Sequence, residues 1–505
     1  MVNRISVPPY VMALDLGTTG NRAFIFDATG AIVAQAYREL PQIYPRPGWV
    51  EHDPQQIWAD TLGVMQSAVA QAGIPAAEIA AIGLTVQRET CLVWNRRTGR
   101  PLYNAIVWQD RRTAPHCEAL AHEAERIYQK TGLVLDAYFS ATKLAWLRQH
   151  VVKRDPSLNE ADLLAGTIDT WILWNLTGGA QHLTDHSNAS RTMLYNLTTQ
   201  TWDPELLELF DLPATWLPQL SPSLGLMGHL HPAVLGARIP ITAVLGDQQA
   251  ALLAHGCDRP GLSKCTYGTG AFLVAHTGSQ VVRSSHRLLS TVAWTSARPD
   301  RDPLPGFALE GSMFTTGSCI QWLRDGLKII QSAAETDALA SSVADTGDVY
   351  FVPALSGLGA PHWDMSARAS FMGITGGTQR EHLVRAVLES IAYQVADVVA
   401  AINQDQAHPI ERLKVDGGSC QNDFLMQFQA DVLGIPVERP AVLDATAQGA
   451  AFAAGLVAEV WPDYASLIAA RPVDRVFEPG SQHSQAQAGL HRWHQAVERA
   501  KHWAD

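Results

Sequence analysis

Short apolar runs of strand length recur along most of the chain and alternate with amphipathic segments. Among these runs are YVMALDLG, AFIFD, AAIGLTV, TAVLGD, FLVAHTG and RLKVDGG. Apolar runs of about four to eight residues are typical of buried strands, and helical patterns between them are typical of sheets covered by helices. The pattern therefore predicts an α/β protein built from layers of sheet and helix.

Two stretches rich in glycine and proline interrupt this alternation and predict junctions. The first is SPSLGLMGHLHPAVLGARIP at 221–240, and the second is HGCDRPGLSKC at 255–265. Because the second lies almost at the middle of 505 residues, we expect two domains of similar size, 1–256 and 257–505. A Gly-punctuated turn between strands recurs in each half, as DLGTTGNRAFIFD and TYGTGAFLVAHTG, and this indicates that the two domains are related.

Composition excludes several classes of partner. The formal net charge is −12 and no block of Lys or Arg occurs, so a general attraction to nucleic acid or to an anionic membrane is not expected. The six cysteines form no CxxC pair and no cluster at zinc spacing. With 47% hydrophobic residues and no apolar run of membrane-spanning length, a cytoplasmic globular protein is the expectation.

The two recurring turns have the chemistry of phosphate binding. In the first, Thr18 and Thr19 stand between glycines, and in the second Thr269 does. Glycines let the backbone approach a ligand, while amides and Thr hydroxyls donate to phosphate oxygens. Neither turn is a Walker loop, because no GK[ST] follows. Either turn alone could be a plain hairpin, but one turn in each domain predicts that a polyphosphate is held from two sides.

Two further strand ends carry candidate ligand contacts. In LKVDGGSCQNDFLMQFQADVLG a strand runs into Gly417 and Gly418 before a helix, whose free amides could bind the polar edge of a nucleotide. In ITAVLGDQQAALLAHG a strand runs into Gly246, and Asp247 follows. Asp247 is either a helix N-cap or a general base at the carboxyl end of a strand, where α/β folds place their ligands.

The sequence QRET follows the apolar run AAIGLTV and places Arg88 beside Glu89. A surface ion pair is the plain interpretation, since such pairs are common and contribute little. In a regular strand the two side chains would point to opposite faces. If the strand ends at about Val86, however, both side chains could turn inward and serve two adjacent hydroxyls, one donating and one accepting hydrogen bonds.

Nine motifs carry a resemblance to a known family. They are DLGTT, QRET, NAIVWQDRR, YFSATK, GDQQAAL, YGTGAF, IQWLRD, GLGAPHWD and DGGSCQNDFLMQFQAD, and the resemblance extends from about residue 11 to about residue 455. In order and spacing the chain resembles the FGGY family of carbohydrate and polyol kinases, and within it the members that act on glycerol. The resemblance implies two ribonuclease-H-like α/β domains, as in actin and hexokinase, with an active-site cleft between them.

The resemblance also implies a reaction, transfer of the γ-phosphoryl group of MgATP to glycerol, and a role for individual residues. Arg88, Glu89, Trp108, Tyr138, Gln248 and Phe272 match substrate contacts, and Asp247 matches the catalytic base. Asp15, together with Asp247, matches the magnesium site. The matching nucleotide contacts are Thr18, Thr19, Thr269, Gly317, Gln321, Gly418 and Asn422. A kinase for another polyol or ketose, such as erythritol or a pentulose, and an actin-like ATP-binding protein without kinase activity are the alternatives.

The chain departs from the family pattern at three places, with Ala141 in YFSATK, Gly376 in GITGGT and the sequence SCQND after Gly418. None of these departures removes a residue assigned to chemistry, but the last two could alter nucleotide binding or domain motion. By analogy with the family, we expect a homodimer or a homotetramer.

Overall fold

The computed structural model describes residues 8–504, so the outermost residues of the two predicted domains, 1–7 and 505, lie outside the described part. The strands of the first half are β1 (Tyr10–Leu16), β2 (Gly20–Phe26), β3 (Ile32–Glu39), β4 (Glu51–His52), β5 (Ile79–Val86), β6 (Cys91–Asn95), β7 (Ala105–Ile106), β8 (Leu163–Thr167), β9 (Leu183–Asp185), β10 (Tyr195–Asn196), β11 (Thr201–Trp202), β12 (Gln219–Ser221), β13 (Leu224–His229) and β14 (Pro240–Gly246). Its helices are α1 (Pro54–Ala72), α2 (Ala114–Ala119), α3 (Ala124–Thr131), α4 (Ser140–His150), α5 (Ile168–Leu176), α6 (His186–Ala189), α7 (Pro204–Leu209), α8 (Pro232–Leu235) and α9 (Asp247–Ala254).

The second half continues with a similar alternation. Its strands are β15 (Leu262–Tyr267), β16 (Ala271–Gly278), β17 (Leu289–Trp294), β18 (Gly306–Met313), β19 (Tyr350–Val352), β20 (Ser370–Met372), β21 (Arg412–Asp416), β22 (Val437–Pro440) and β23 (Val473–Phe477). Its helices are α10 (Gly317–Gln321), α11 (Glu335–Ser341), α12 (Arg380–Asp405), α13 (Asp423–Leu433), α14 (Ala445–Val457), α15 (Tyr464–Ala469) and α16 (His483–Ala500).

The two large sheets share one topology. The first has the order β13-β14-β5-β1-β2-β3, and the second has the order β17-β18-β16-β15-β21-β22-β23. In each, the opening strand pairs antiparallel with the next strand and parallel with a later one: β1 with β2 and β5, β15 with β16 and β21. The predicted α/β class and the pair of ribonuclease-H-like domains are therefore confirmed.

Helices α9 and α14 lie between the two sheets. One buried apolar cluster joins Val11 and Leu245 of the first sheet, Val274 of the second, and residues of both helices. On α14, Gly449 lies so close to the Ala250 carbonyl on α9 that no larger side chain would fit. Thus α14, which follows the predicted boundary at 256/257 in sequence, packs on the first sheet; the boundary itself stays a prediction.

A smaller four-stranded sheet, with the order β4-β7-β6-β8, adjoins the first large sheet. Helix α4 packs on β6 of this sheet, and the two belong to one apolar cluster with Phe139, Ile106 and Trp216. The segments that precede α4 and follow β7 carry Tyr138 and Trp108. The smaller sheet therefore holds these two aromatic side chains at the edge of the large sheet.

One of the two predicted junctions is wrong. Residues 221–240 contain the strand β13 and the short helix α8 rather than a linker. Strand β13 pairs with β14 at the edge of the sheet, and its register shifts between Leu224 and Gly228. Leu224 also forms an isolated parallel bridge with Ser296. Edge strands with bulges tolerate glycine, which explains why the composition resembles that of a loop. Among residues 8–504, no helix is long and apolar enough to cross a bilayer.

Candidate active site

Three parallel strands of the first sheet end at the same level. Leu16 at the end of β1 and Gly246 at the end of β14 both lie opposite Val86, the last residue of β5. The segments that follow these strands are the first glycine turn, QRET and Asp247. Because parallel strands direct their carboxyl ends to one edge of a sheet, all three segments meet at that edge.

The QRET segment is buried and not a surface ion pair. Strand β5 ends at Val86, as predicted, and Glu89 adopts a left-handed backbone conformation with a φ of 62°. Arg88 is 3% exposed and Glu89 is 1% exposed. A non-glycine residue rarely adopts this conformation, and here it turns the two neighbouring side chains to the inside of the molecule.

Sequence reasoning missed two charged residues that surround QRET. The Arg88 guanidinium donates to both carboxylate oxygens of Glu310, at 2.6 and 3.0 Å. Arg191 donates to Glu89 Oε1 at 2.7 Å and to Glu310 Oε1 at 3.0 Å. Burial opposes ionisation of Glu310, but Arg191 and Arg88 lower its pKa to about 2. Burial raises the pKa of Glu89, although Arg191 and Arg88 oppose this shift.

Asp247 is the first residue of α9, and its N-cap is Gly246, without a side-chain cap hydrogen bond. The N-cap interpretation of Asp247 is therefore wrong. Its carboxylate accepts from the Gln248 backbone N–H at 2.7 Å and lies 3.1 Å from Arg88 Nε. The side chain is 30% exposed. A carboxylate with this exposure, in contact with a buried arginine, is able to meet a ligand in the cleft.

Gln248 connects Asp247 to a lysine that sequence reasoning also missed. Its amide N–H donates to Asp247 Oδ2 at 3.2 Å, and its Oε1 accepts from Lys264 on β15. Lys264 donates to Thr266 Oγ1 at 2.7 Å as well and is fully buried. Burial lowers the pKa of Lys264. The side chain of Gln248 is thus held between the proposed base and the second sheet.

Three aromatic rings meet beside these groups. The ring of Trp108 lies 5.5 Å from that of Tyr138 and 6.3 Å from that of Phe272, both in edge-on contact. Burial raises the pKa of Tyr138, and Glu89 raises it further, so the phenol remains a hydrogen-bond donor. The Tyr138 carbonyl accepts from the buried Lys143 ammonium at 2.5 Å. The rings form an apolar surface beside the charged groups of Arg88 and Glu89, an arrangement that suits a small polar ligand with a carbon skeleton.

The first glycine turn is closed by a hydrogen bond from Gly17 N–H to the Gly20 carbonyl at 3.0 Å. Thr18 Oγ1 accepts from the Trp108 indole at 2.9 Å, which joins this turn to the aromatic rings. Asp15, just before the turn, lies 3.9 Å from Arg22. Burial raises the pKa of Asp15 to about 7; Arg22 opposes this shift, and the carboxylates of Asp247 and Asp444 add to it.

The second glycine turn lines a cavity of about 540 Å³ in the second domain. All five nucleotide contacts that were predicted for this domain line it, namely Thr269, Gly317, Gln321, Gly418 and Asn422. Thr18 and Thr19 do not line this cavity. A methyl group on Gly418 would have no neighbour within 4 Å, so its backbone faces open space. The cavity has the volume of a small-molecule site.

Asn422 has a structural role in addition to lining this cavity. It is the N-cap of α13, where its Oδ1 accepts from Leu425 N–H at 2.8 Å, and its Nδ2 donates to Thr336 Oγ1 at 3.0 Å. Both ends of the amide are therefore in use. Arg324, Asp337 and Ser419 also line the cavity and were missed by sequence reasoning.

Comparisons with known proteins cover nearly the whole chain. Residues 10–254 match the model of the N-terminal domain of the FGGY family of carbohydrate kinases, and residues 263–458 match that of the C-terminal domain. A glycerol kinase of Acaryochloris marina is 66% identical over 98% of this chain and 99% of its own length. A glycerol kinase of Nostoc sp. is 62% identical over 99% of this chain and 100% of its own length.

A solved structure has the same fold. The crystal structure of Plasmodium falciparum glycerol kinase with ADP superposes with a TM-score of 0.91 at 34% identity and covers 99% of both chains.

Proposed function

This chain belongs to the FGGY family of carbohydrate kinases, and from that premise we propose that it transfers the γ-phosphoryl group of ATP to glycerol, giving sn-glycerol 3-phosphate and ADP. Relatives more than 60% identical over nearly the full length are glycerol kinases. The observation that carries the proposal is the contact of 3.1 Å between Arg88 Nε and Asp247, beside the three aromatic rings. A hydroxyl held by Arg88 would be within reach of Asp247.

We propose that Arg88, Glu89 and Tyr138 bind the three hydroxyls of glycerol. A hydroxyl both donates and accepts, whereas a guanidinium only donates and a carboxylate only accepts. Two adjacent hydroxyls therefore suit Arg88 and Glu89 together. The Tyr138 hydroxyl makes no hydrogen bond within residues 8–504 and is available to the ligand. Trp108 and Phe272 would pack on the carbon atoms, and Gln248 would contact the substrate beside Asp247.

Asp247 would act as the general base. Its carboxylate would take the proton from the terminal hydroxyl as that oxygen bonds to the γ-phosphorus, while the bond from phosphorus to the ADP oxygen breaks. Arg88 Nε lies 3.1 Å from this carboxylate and would hold it beside the acceptor hydroxyl. General-base catalysis contributes on the order of 10²- to 10⁴-fold.

ATP would lie between the two glycine turns. Thr269, Gly317, Gln321, Gly418 and Asn422 line the cavity of the second domain, whose volume of about 540 Å³ suits a nucleoside, and we assign them to the nucleotide. Thr18 and Thr19 in the first turn would donate to the phosphates. The solved relative from Plasmodium falciparum contains ADP, which supports an adenine nucleotide as a ligand of this chain.

Asp15 and Asp247 fit a magnesium ion that arrives with ATP. Magnesium at nucleotide sites uses one or two carboxylates in addition to phosphate oxygens. The raised pKa of Asp15, about 7, indicates a buried carboxylate with too little compensating positive charge, which a cation would supply. Among residues 8–504, no group of three His, Cys, Asp or Glu side chains could hold a metal without the nucleotide. When bound, magnesium would neutralise charge on the phosphate oxygens.

A substrate panel with coupled detection of ADP tests this proposal. We expect glycerol to give the highest kcat/KM among glycerol, erythritol, xylulose and ribulose, and ADP release to require magnesium. Erythritol or a pentulose that is turned over at least as well as glycerol would contradict the proposed substrate. Absence of phosphoryl transfer to every member, with ATP still bound, would support an actin-like nucleotide-binding protein instead.

The oligomeric state of the protein is the last element of the proposed function. We propose a homodimer or a homotetramer by analogy with the family. Light scattering coupled to size-exclusion chromatography at several protein concentrations distinguishes these from a monomer of 54.9 kDa.

A further inference from the structure

Four charged side chains from both halves of the chain form a buried group behind the proposed glycerol site. We call Arg88, Glu89, Arg191 and Glu310 the Glu310 cluster. Each of its members is at most 3% exposed. Arg88 and Glu89 follow a strand of the first sheet, and Glu310 lies on β18 of the second sheet, opposite Val274 and Leu289. The cluster therefore spans the two halves of the protein.

Glu310 connects the two arginines. Its Oε2 accepts from Arg88, while its Oε1 accepts from both Arg88 and Arg191. A carboxylate in a fully buried strand is costly unless charged partners compensate it, and the two guanidiniums provide this compensation. Without Glu310, Arg88 and Arg191 would face each other in the interior with fewer negative partners.

The cluster fixes Arg88 and leaves one oxygen of Glu89 without a partner. Glu310 accepts from both terminal nitrogens of Arg88, and Gln249 Oε1 accepts from Nη1 at 3.3 Å, while Nε faces Asp247 at 3.1 Å. Arg191 holds Glu89 Oε1 at 2.7 Å, and within residues 8–504 the other oxygen of Glu89 accepts no hydrogen bond. Nη1 of Arg191 is buried and also has no partner in the described part of the chain.

We propose that Glu310 and Arg191 are positioning residues for substrate recognition, which fix the Arg88 guanidinium and the Glu89 carboxylate in the orientation that binds two adjacent hydroxyls. Because Glu310 belongs to the second sheet, recognition of the acceptor depends on the relative placement of the two domains. This inference rests on the proposed function and deepens it, since it assigns the selectivity for a vicinal diol to residues that do not touch the substrate.

The test is the variant Glu310→Gln, which keeps the size of the side chain and removes its charge. We expect the KM for glycerol to rise about 10- to 100-fold, the range expected from the loss of hydrogen bonds to a charged group, while the KM for ATP stays at the wild-type value. The preference for glycerol over 1,3-propanediol should fall, because that diol lacks the middle hydroxyl. A merely structural role of Glu310 would leave this preference unchanged.

Glu389→Gln is the matched control. Glu389 is a buried carboxylate on α12 in the same half of the chain, and it accepts from Arg385 Nε at 2.7 Å and from the Tyr393 hydroxyl at 3.1 Å. It has no contact with the Glu310 cluster, so its replacement should leave the KM for glycerol unchanged. If Glu310→Gln does not fold, the same measurements on Arg191→Lys test the inference. Lysine keeps the positive charge but cannot donate to Glu89 and Glu310 at the same time in the geometry of a guanidinium.

The outcomes separate the inference from the proposed function. A wild-type KM for glycerol in both Glu310→Gln and Arg191→Lys, or equal rises in the KM values for glycerol and ATP, would overturn the inference alone. If the wild type prefers another acceptor of the panel, the proposed function is wrong, and the same comparison is made with that acceptor. If the wild type phosphorylates none of them, both are wrong.

Discussion

The indole N–H of Trp108 donates to Thr18 Oγ1 at 2.9 Å. Thr18 is held at its carbonyl as well, by Gln42 Nε2 at 2.8 Å, and the backbone N–H of Trp108 donates to Thr90 Oγ1 at 3.2 Å. One hydrogen bond therefore joins the three aromatic rings, which we propose to contact glycerol, to the first glycine turn, which we propose to bind the phosphates. We therefore expect the placement of the two proposed substrates to be coupled through this pair.

Replacement of Trp108 by phenylalanine tests this coupling. Phenylalanine keeps an aromatic ring against Tyr138 and Phe272 but removes the donor to Thr18. We expect the KM values for both glycerol and ATP to rise about two- to tenfold, in line with the loss of one hydrogen bond. Steady-state kinetics with each substrate varied in turn measures both values.

The control for this variant is Trp202→Phe. The indole of Trp202 donates to the Pro218 carbonyl at 2.8 Å, outside the proposed site, so the same chemical change is made elsewhere. It should leave both KM values unchanged. A rise in the KM for glycerol alone in Trp108→Phe would show that the hydrogen bond to Thr18 does not position the phosphate turn.

Asp247→Asn separates binding from chemistry. Asparagine has the shape of aspartate and can still accept from the Gln248 N–H, but it cannot take a proton. We expect ATP and glycerol to bind with nearly wild-type affinity in calorimetry, while kcat falls by roughly 10²-fold or more. Near-normal turnover in this variant would mean that Asp247 is not the base.

The strands of the two sheets could be predicted because they are buried on both faces. Runs such as YVMALDLG and AAIGLTV are almost continuously apolar, and all positions of β1 and β5 except Asp15 and Ala80 are buried. Strand β13 could not be predicted, since its glycines and neighbouring prolines resemble a loop when the pairing with β14 is unknown. The sheet against which α14 packs could not be predicted either, because the small Ala and Gly residues of this helix permit close approach to any surface.

In the candidate site, too, features set by the local sequence could be predicted, whereas contacts between distant parts of the chain could not. Strand ends rich in Gly, Thr and Asp could be assigned to a ligand from sequence alone. The partners of Arg88 could not, because Glu310 lies 222 positions away in sequence. A weak signal exists in the strand sequence FALEGSM, where one carboxylate interrupts an apolar run. A charge in such a run predicts a buried partner but does not identify it.

Asp169 predicts how stability depends on pH. It is fully buried, and its oxygens accept from the hydroxyls of Thr167 at 2.5 Å and Thr184 at 2.6 Å. Burial raises its pKa to about 6, and the carboxylate of Asp185 adds to this shift. A carboxyl whose folded-state pKa is raised favours folding at low pH, and this contribution is lost as the pH rises through about 6.

Replacement of Asp169 by asparagine removes this titration. The free energy of unfolding of Asp169→Asn relative to the wild type should therefore increase between about pH 5 and about pH 8, by on the order of 1–2 kcal/mol. Urea denaturation of both proteins at the two pH values measures the difference, and other titrating groups cancel in it. A difference that is the same at both pH values would show that Asp169 does not titrate in this range.

Gly418→Ala tests whether the cavity of the second domain holds the nucleotide. In the free protein the added methyl group meets no atom within 4 Å, so the melting temperature should not change. With a nucleotide against the Gly418 backbone, the same methyl group would collide with it. We expect the KM for ATP to rise about tenfold, which corresponds to the roughly 1.4 kcal/mol of a lost close contact, while the KM for glycerol stays the same.

Gly377→Ala is the matched substitution outside the cavity. Its methyl group would lie 3.9 Å from Thr375 Oγ1, its nearest neighbour, in an exposed turn. Both variants therefore add one methyl group in open space without a backbone penalty, and they differ only in their distance from the proposed nucleotide. If Gly418→Ala binds ATP as well as Gly377→Ala does, the backbone of Gly418 does not face the nucleotide. The assignment of Gly317 and Gln321, which line the same cavity, to the nucleotide would then be wrong as well.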